Sequence, residues 1–157
     1  MYDIDSIVEL WGKYADKLED WQKEVGRKQP KITQCGPVYE LESPFPKHFG
    51  SYAISDMREV DVAYPHYHKG RETEIYFVIQ GTGLTVVGGQ EIELEKGSVV
   101  VTPPNTTHFT IPKDDLVMLV INTPKFNKDN IVEPVDSDPE VRFDKDQYDE
   151  LVIKHVG

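Results

Sequence analysis

The sequence predicts an all-β protein built as a double-sheet jelly-roll barrel, with one α-helix added at its N-terminus. Three observations lead there. Between Ser51 and Asn122 the chain breaks into short apolar or alternating runs of strand length, separated by turns rich in Gly, Pro and Asn. Gly88-Gly89 joins two of these runs as a two-residue hairpin turn. Ahead of them, Ile4, Ile7, Val8, Trp11, Tyr14, Leu18, Trp21 and Val25 recur at the three- and four-residue steps of an amphipathic helix.

At 157 residues the chain is long enough for one domain with a real core and short for two. The expected division is a helix over 1–29 packed on the barrel, the barrel itself over 30–123, and a C-terminal arm of the same domain over 124–157. A net charge of −11 repels phosphate backbones, so nucleic acid is not an expected partner. No run approaches membrane-spanning length, and the opening Met1-Tyr2-Asp3-Ile4-Asp5 is acidic rather than a charged-then-apolar leader. The single Cys35 has no partner for an internal disulfide and fits a reducing compartment. A cytoplasmic location is expected.

The helix is predicted over residues 3–26, capped by a Ser6-x-x-Glu9 box or by Asp3 or Asp5. It should pack on the barrel exterior or on a partner subunit to bury its tryptophans, a lid over the barrel mouth being the alternative. Its aromatic face motivates a homodimer. Pro30, Pro37, Pro44 and Pro46 restrict the next stretch to edges and turns, with short edge strands at Ile32–Cys35 and Val38–Leu41. Cys35 is read as packing. Asp56 to His68 alternates, with Arg58, Val60, Val62, Tyr64, His66 and His68 on one, more apolar face, and Pro65 as the place for a bulge. Ile75 to Ile79 reads as strand, Leu84–Val87 and Ile92–Leu94 as a hairpin, and Ser98–Thr102, Thr106–Ile111 and Leu116–Asn122 as further strands. Glu91, Glu93 and Glu95 form a solvated face. The acidic tail ends in a short helix or strand around Tyr148, Leu151, Val152 and Val156.

The chemistry concentrates between His66 and His108. Two histidines two apart on a strand share a face, because side chains alternate. Lys69-Gly70-Arg71 turns the chain, and Glu74 opens the following strand, so one hairpin presents two imidazoles and a carboxylate. Glu72 has the same parity and is an alternative ligand. Glu74 is preferred for its distance to Gly81 and because Ile75–Ile79 follows directly. His108 follows Gly97 and Pro103 as the fourth group. Three neutral imidazoles and one carboxylate suit one divalent transition metal: Fe, Mn, Ni, Cu or Zn.

These residues resemble the two short motifs of the cupins. His66, His68, Glu74 and Gly81 match the first motif, and Gly97, Pro103 and His108 match the second. The sequence departs in four places. Val60 replaces an opening glycine, five residues separate His68 from Glu74, Asn105 replaces a glycine, and Pro112 replaces a closing asparagine. Asparagine also tolerates positive φ. The resemblance implies a cupin-type double-stranded β-helix with His66, His68, Glu74 and His108 holding the metal and two cis positions left for a ligand. The run Pro65–Lys69 followed by Glu74–Val78 is especially similar to single-domain cupins grouped with mannose-6-phosphate isomerase-like proteins.

Strand parity puts Tyr64 and Tyr76 beside the metal as candidate catalytic groups. Arg58 and Lys69 are the candidate contacts to a substrate anion. The expected function is a metal-dependent enzyme of dioxygenase, decarboxylase or sugar-phosphate isomerase type, acting on an anionic or enolisable small molecule. The alternatives are a non-catalytic small-molecule or sugar-binding cupin, or a metal site that only stabilises the barrel. A pocket filled by Trp11, Trp21 or the C-terminal arm would favour the last.

Overall fold

The computed structural model describes residues 3–42 and 50–157. The expectations for Pro44 and Pro46 lie outside the described residues. The strands are β1 (Lys31–Thr33), β2 (Gly36–Glu40), β3 (Ser51–Asp56), β4 (Ala63–His68), β5 (Thr73–Gln80), β6 (Gly83–Val87), β7 (Gln90–Leu94), β8 (Val99–Thr102), β9 (His108–Pro112), β10 (Val117–Thr123) and β11 (Ile131–Val132). They form two antiparallel sheets, one ordered β1-β2-β3-β10-β5-β8 and the other β11-β4-β9-β6-β7. This is the jelly-roll arrangement, with sequence-distant strands as neighbours. Gly88 and Gly89 take φ of 56° and 83° in the β6–β7 hairpin, the left-handed values such a turn requires.

Helices cover both outer faces, which explains why several strands are apolar on both sides. The N-terminal segment is α1 (Ile4–Ala15), a 3₁₀ turn at Leu18–Asp20 and α2 (Trp21–Val25). The predicted single helix therefore breaks after Ala15, where Lys17 N–H bonds back to the Tyr14 carbonyl in a tighter turn. The buried stripe Ile7, Trp11, Leu18, Trp21 and Val25 continues across the break. It packs on Tyr52, Ile54, Ile75, Phe77, Ile79, Val117, Leu119 and Ile121, the outer side of the six-stranded sheet. Asp3 is the N-cap, accepting from Ser6 N–H at 2.8 Å. Trp11 stacks on Tyr52 with ring centroids 4.3 Å apart, and Trp21 Nε1 donates to Gln80 Oε1 at 2.9 Å. Both tryptophans are thus covered by this chain's own sheet, so the aromatic face that motivated a dimer needs no partner subunit. The helical segment packs on the outer side of the six-stranded sheet.

The C-terminal arm ends in helix α3 (Lys145–His155), capped by Asp144. Leu151, Tyr148 and Val152 pack on Leu84, Val86, Phe109 and Ile111, the outer side of the five-stranded sheet. Between the sheets lie Met57, Ala63, Tyr76, Val78, Leu94, Val100, Leu116, Met118 and Val120. Along β5 and β10 the odd residues face the helices and the even ones face inward. Two expectations change. β2 lies inside its sheet, between β1 and β3, so of these two strands only β1 is an edge. β8 begins at Val99 rather than Ser98 and, as an edge strand, leaves Val99 and Val101 exposed.

The strand read from Asp56 to His68 is ordered as strand only from Ala63, after a turn through 58–61. Ala63 pairs with Thr110 and His66 with His108, so β4 spends one residue more than β9 between these pairs. That extra residue is a bulge at Tyr64-Pro65, and it reverses the parity of everything before it.

Replacing Trp11 with Ala should cost about 3–5 kcal/mol, as large aromatic-to-alanine core changes do. Urea unfolding would measure it. Because the tryptophan lies under the outer sheet face, binding of any ion between the sheets should be unchanged at low denaturant.

Candidate metal centre

The two sheets bring four buried groups together. His66 and His108 lie directly opposite each other on β4 and β9, with ring centroids 4.3 Å apart. His68 follows on the same inward face of β4, and Glu74 reaches in from β5 in the facing sheet. The metal-ligating atoms of these four residues all lie within 4.8 Å of one another, and none of the four is more than 4% exposed.

Their hydrogen bonds orient them. His66 Nδ1 donates to the Tyr64 carbonyl at 2.8 Å, and His108 Nδ1 donates to the Thr106 carbonyl at 3.2 Å. A carbonyl can only accept, so each ring carries its proton on Nδ1 and leaves Nε2 for the centre. His108 Nε2 then stands 3.1 Å from Glu74 Oε1, and His68 Nε2 stands 3.3 Å from Glu74 Oε2. Asn122 Nδ2 donates to Glu74 Oε2 at 2.9 Å. Glu72, 1% exposed, lies behind His68 in contact with its Nδ1, and accepts from Asn127 N–H at 3.1 Å and from Asn122 at 3.2 Å. Glu74 is therefore the carboxylate of the cluster, and Glu72 orients His68 from behind.

The electrostatics favour a cation. Burial drives the His66 pKa down to about 3, with the neighbouring His108 adding to the effect, so its ring is neutral. Burial opposes charge on His68 as well, but the Glu72 and Glu74 carboxylates overcome it and raise the pKa to about 10. Burial also works against an ionised Glu74. His108 and His68 override it and hold the carboxyl well below the usual carboxylate range. The potential ligand atoms thus converge on one point, and His68 Nε2 is buried without a hydrogen-bond partner. A buried donor set of three imidazoles and one carboxylate, with an orphaned nitrogen aimed inward, fits a divalent transition metal.

A cavity of about 90 Å³ adjoins the cluster. His66, His68, Glu74 and Asn122 form its inner end, and β1, β2, β3 and the segment after β10 form its walls. Neither Trp11 nor Trp21 lines it. Phe126 and Ile131 of the C-terminal arm contribute to the wall without filling the space.

The other predicted site residues fall differently. Tyr76 is buried beside the cluster, its ring 6.3 Å from that of His108 and its hydroxyl 3.9 Å from Cys35 Sγ. Burial, Cys35 and Glu74 raise its pKa well above the ordinary phenol value. Tyr64 is 59% exposed, because the bulge turns it to the outer face, and only its carbonyl serves the site. Arg58 lies in the turn before β4. Its guanidinium is engaged by Asp56 through two contacts of 2.9 Å and lies 5.0 Å over Trp21, away from the cavity. Lys69 is exposed in the β4–β5 turn, outside the cavity lining. Among the described residues, the lysine that lines the cavity is Lys31, paired with Glu40 at 2.7 Å. Sequence reasoning missed Asn122 as well. Its inward parity with Met118 and Val120, as the one polar residue in that run, was the available signal.

Residues 57–122 match the cupin domain. An uncharacterized protein of Streptomyces coelicolor is 34% identical over 76 residues, which cover 48% of this chain and 68% of that protein. The chain belongs to the cupin superfamily. Among solved structures, a protein from Planctomyces limnophilus has a TM-score of 0.57 at 19% identity, covering 68% of this chain and 90% of that one. KdgF from Halomonas sp. has a TM-score of 0.55 at 18% identity, covering 66% and 90%. Streptomyces PAC13, solved with uridine, has a TM-score of 0.51 at 15% identity, covering 62% and 75%. These likenesses are of fold. No helix among the described residues is long and apolar enough to cross a membrane.

Glu72→Gln removes a charge behind His68 while keeping the side chain's shape. It should weaken metal binding about 10- to 100-fold, as loss of a group orienting a ligand does. Chelator competition measures this, and unchanged affinity would show that Glu72 does not orient the ligand.

Proposed function

We propose that the chain is a metal-dependent enzyme acting on a small anionic or enolisable molecule, with His66, His68, Glu74 and His108 as the metal ligands. The observation that carries this reading is the convergence of four buried donors beside a cavity that reaches solvent. When bound, a divalent Fe, Mn, Ni, Cu or Zn ion would supply Lewis acidity, or oxygen chemistry in the case of iron. Three neutral imidazoles leave one carboxylate charge against two positive charges, which favours an anionic ligand despite the acidic exterior. The Tyr64 and Thr106 carbonyls hold two of the rings, and Asn122 holds Glu74. Tyr76 keeps its proton at neutral pH, so its role beside the ligands is that of a donor.

The reaction types that suit this arrangement are oxygenation, decarboxylation and isomerisation. A non-catalytic binding protein is the second reading, favoured by cavity walls that are mostly apolar beyond the ligands. The uridine-bound structure of PAC13, which shares the fold, supports small-molecule occupancy in either case.

His108→Ala is the direct test of the ligand set. Metal per chain and thermal stability should fall together, by on the order of 4 kcal/mol if the ion is present at a thousandfold over its Kd. Turnover in oxygen-uptake, decarboxylation and sugar-phosphate panels should fall with them. Unchanged metal content would contradict the ligand assignment. Metal binding without turnover in any panel would favour the binding protein.

A further inference from the structure

The cavity is small, and its chemistry changes along its length. At the inner end are the ligand cluster and Asn122. The cavity walls combine the apolar Val38, Ala53, Val120, Phe126 and Ile131 with the polar Thr33, Gln34 and Ser51 and with Cys35 and Tyr52. At the outer end Lys31, with 69% of its side chain exposed, pairs with Glu40. We infer that the site selects a small oxygen-anion chelator with a short apolar body, and that Phe126 and Ile131 set the length it accepts. This rests on the metal-site reading above and narrows its substrate class.

Volume carries the first part. An apolar cavity of roughly 150 Å³ accepts benzene. The space here is about 90 Å³, so the enclosed part holds a few non-hydrogen atoms beyond the chelating group. The wall carries the second part. A phosphorylated sugar would place a dianion and several hydroxyls against a wall whose exposed surface is mainly apolar, where Thr33, Gln34 and Ser51 offer polar partners but no charge. Among the described lining residues the one lysine or arginine is Lys31, which is already paired with Glu40. Burying such groups without partners costs several kcal/mol, on the order of a hydrogen bond or more for each. A methylene chain, by contrast, gains about 0.8 kcal/mol for each buried CH₂.

The limit is built into the same elements that hold the ligands. Phe126 N–H donates to Ser51 Oγ at 2.6 Å, and its ring stands 6.2 Å from that of His68. Ile131 pairs in register with His68 through β11. Between them, Asn127 N–H holds Glu72 behind His68. The segment after β10 therefore forms one wall of the cavity and braces a metal ligand at the same time. A tail that presses on Phe126 presses on a fixed wall.

The test uses the full chain loaded with Zn²⁺ and a series of straight-chain 2-oxo acids from pyruvate to 2-oxooctanoate, followed by titration calorimetry. Affinity should rise with the first added methylenes and then fall by about tenfold or more once the tail outgrows the cavity. Phe126→Ala, and independently Ile131→Ala, should move that fall to a longer acid while zinc per chain stays unchanged. Mannose 6-phosphate should bind more weakly than the best acid. Affinity independent of tail length, a fall that stays in place in both variants, or tighter binding of mannose 6-phosphate would overturn the inference. Zinc is measured on every sample. Zinc-loaded protein that binds none of the acids overturns this inference alone, whereas a chain that retains no zinc overturns the metal-site reading beneath it.

Discussion

Four ionisable side chains are buried together between two sheets, and the structure depends on how their charge is balanced. A carboxylate such as Glu74 loses several kcal/mol of hydration on burial, on the order expected for any buried ion. Asn122 returns one hydrogen bond. The remaining stabilisation has to come from positive charge at the point where His66, His68 and His108 converge. The Glu72 and Glu74 carboxylates raise the His68 pKa against its burial, which marks this point as one that favours positive charge. A divalent ion would supply it with three nitrogens and one oxygen already aligned.

That alignment is a property of the fold. β4 and β9 pair so that His66 faces His108 across a single ladder, and β5 delivers Glu74 from the other sheet. The bulge at Tyr64-Pro65 serves the same end. It leaves the Tyr64 carbonyl where His66 Nδ1 can donate to it. The glycine at position 81 takes φ of 79°, and a Cβ there would lie 2.3 Å from the carbonyl oxygens of Asp114 and Asp115. The end of β5 thus meets the turn before β10 at a distance only glycine allows. Helices on both outer faces bury the other sides of the central strands, so β5 and β10 can be apolar throughout and still present Glu74 and Asn122 inward.

Much of this was legible in the sequence. The cluster of His66, His68, Glu74 and His108 is legible because strand periodicity and residue type agree, and Asn105, a residue type that tolerates positive φ, adopts it at 55°. The helical stripe from Ile7 to Val25 was equally readable, although the break inside it left no mark on the pattern. Errors came where one residue changes everything upstream. A bulge at Pro65 put Tyr64 outside, and a turn took Arg58 to Asp56 rather than to the cavity. What surrounds the site was hardest to read. Glu72 was visible only as a rival ligand, since its place behind His68 depends on Asn122 and on the Asn127 backbone, roughly fifty residues away. Lys31 and Phe126 reach the cavity from segments far apart in the chain, and no local pattern links either to the histidines.

Elemental analysis of the full chain, purified without an affinity tag or chelator, tests the central claim most directly. The account predicts about one Fe, Mn, Ni, Cu or Zn per chain. A chain that carries none, and regains none when these ions are added, would contradict it.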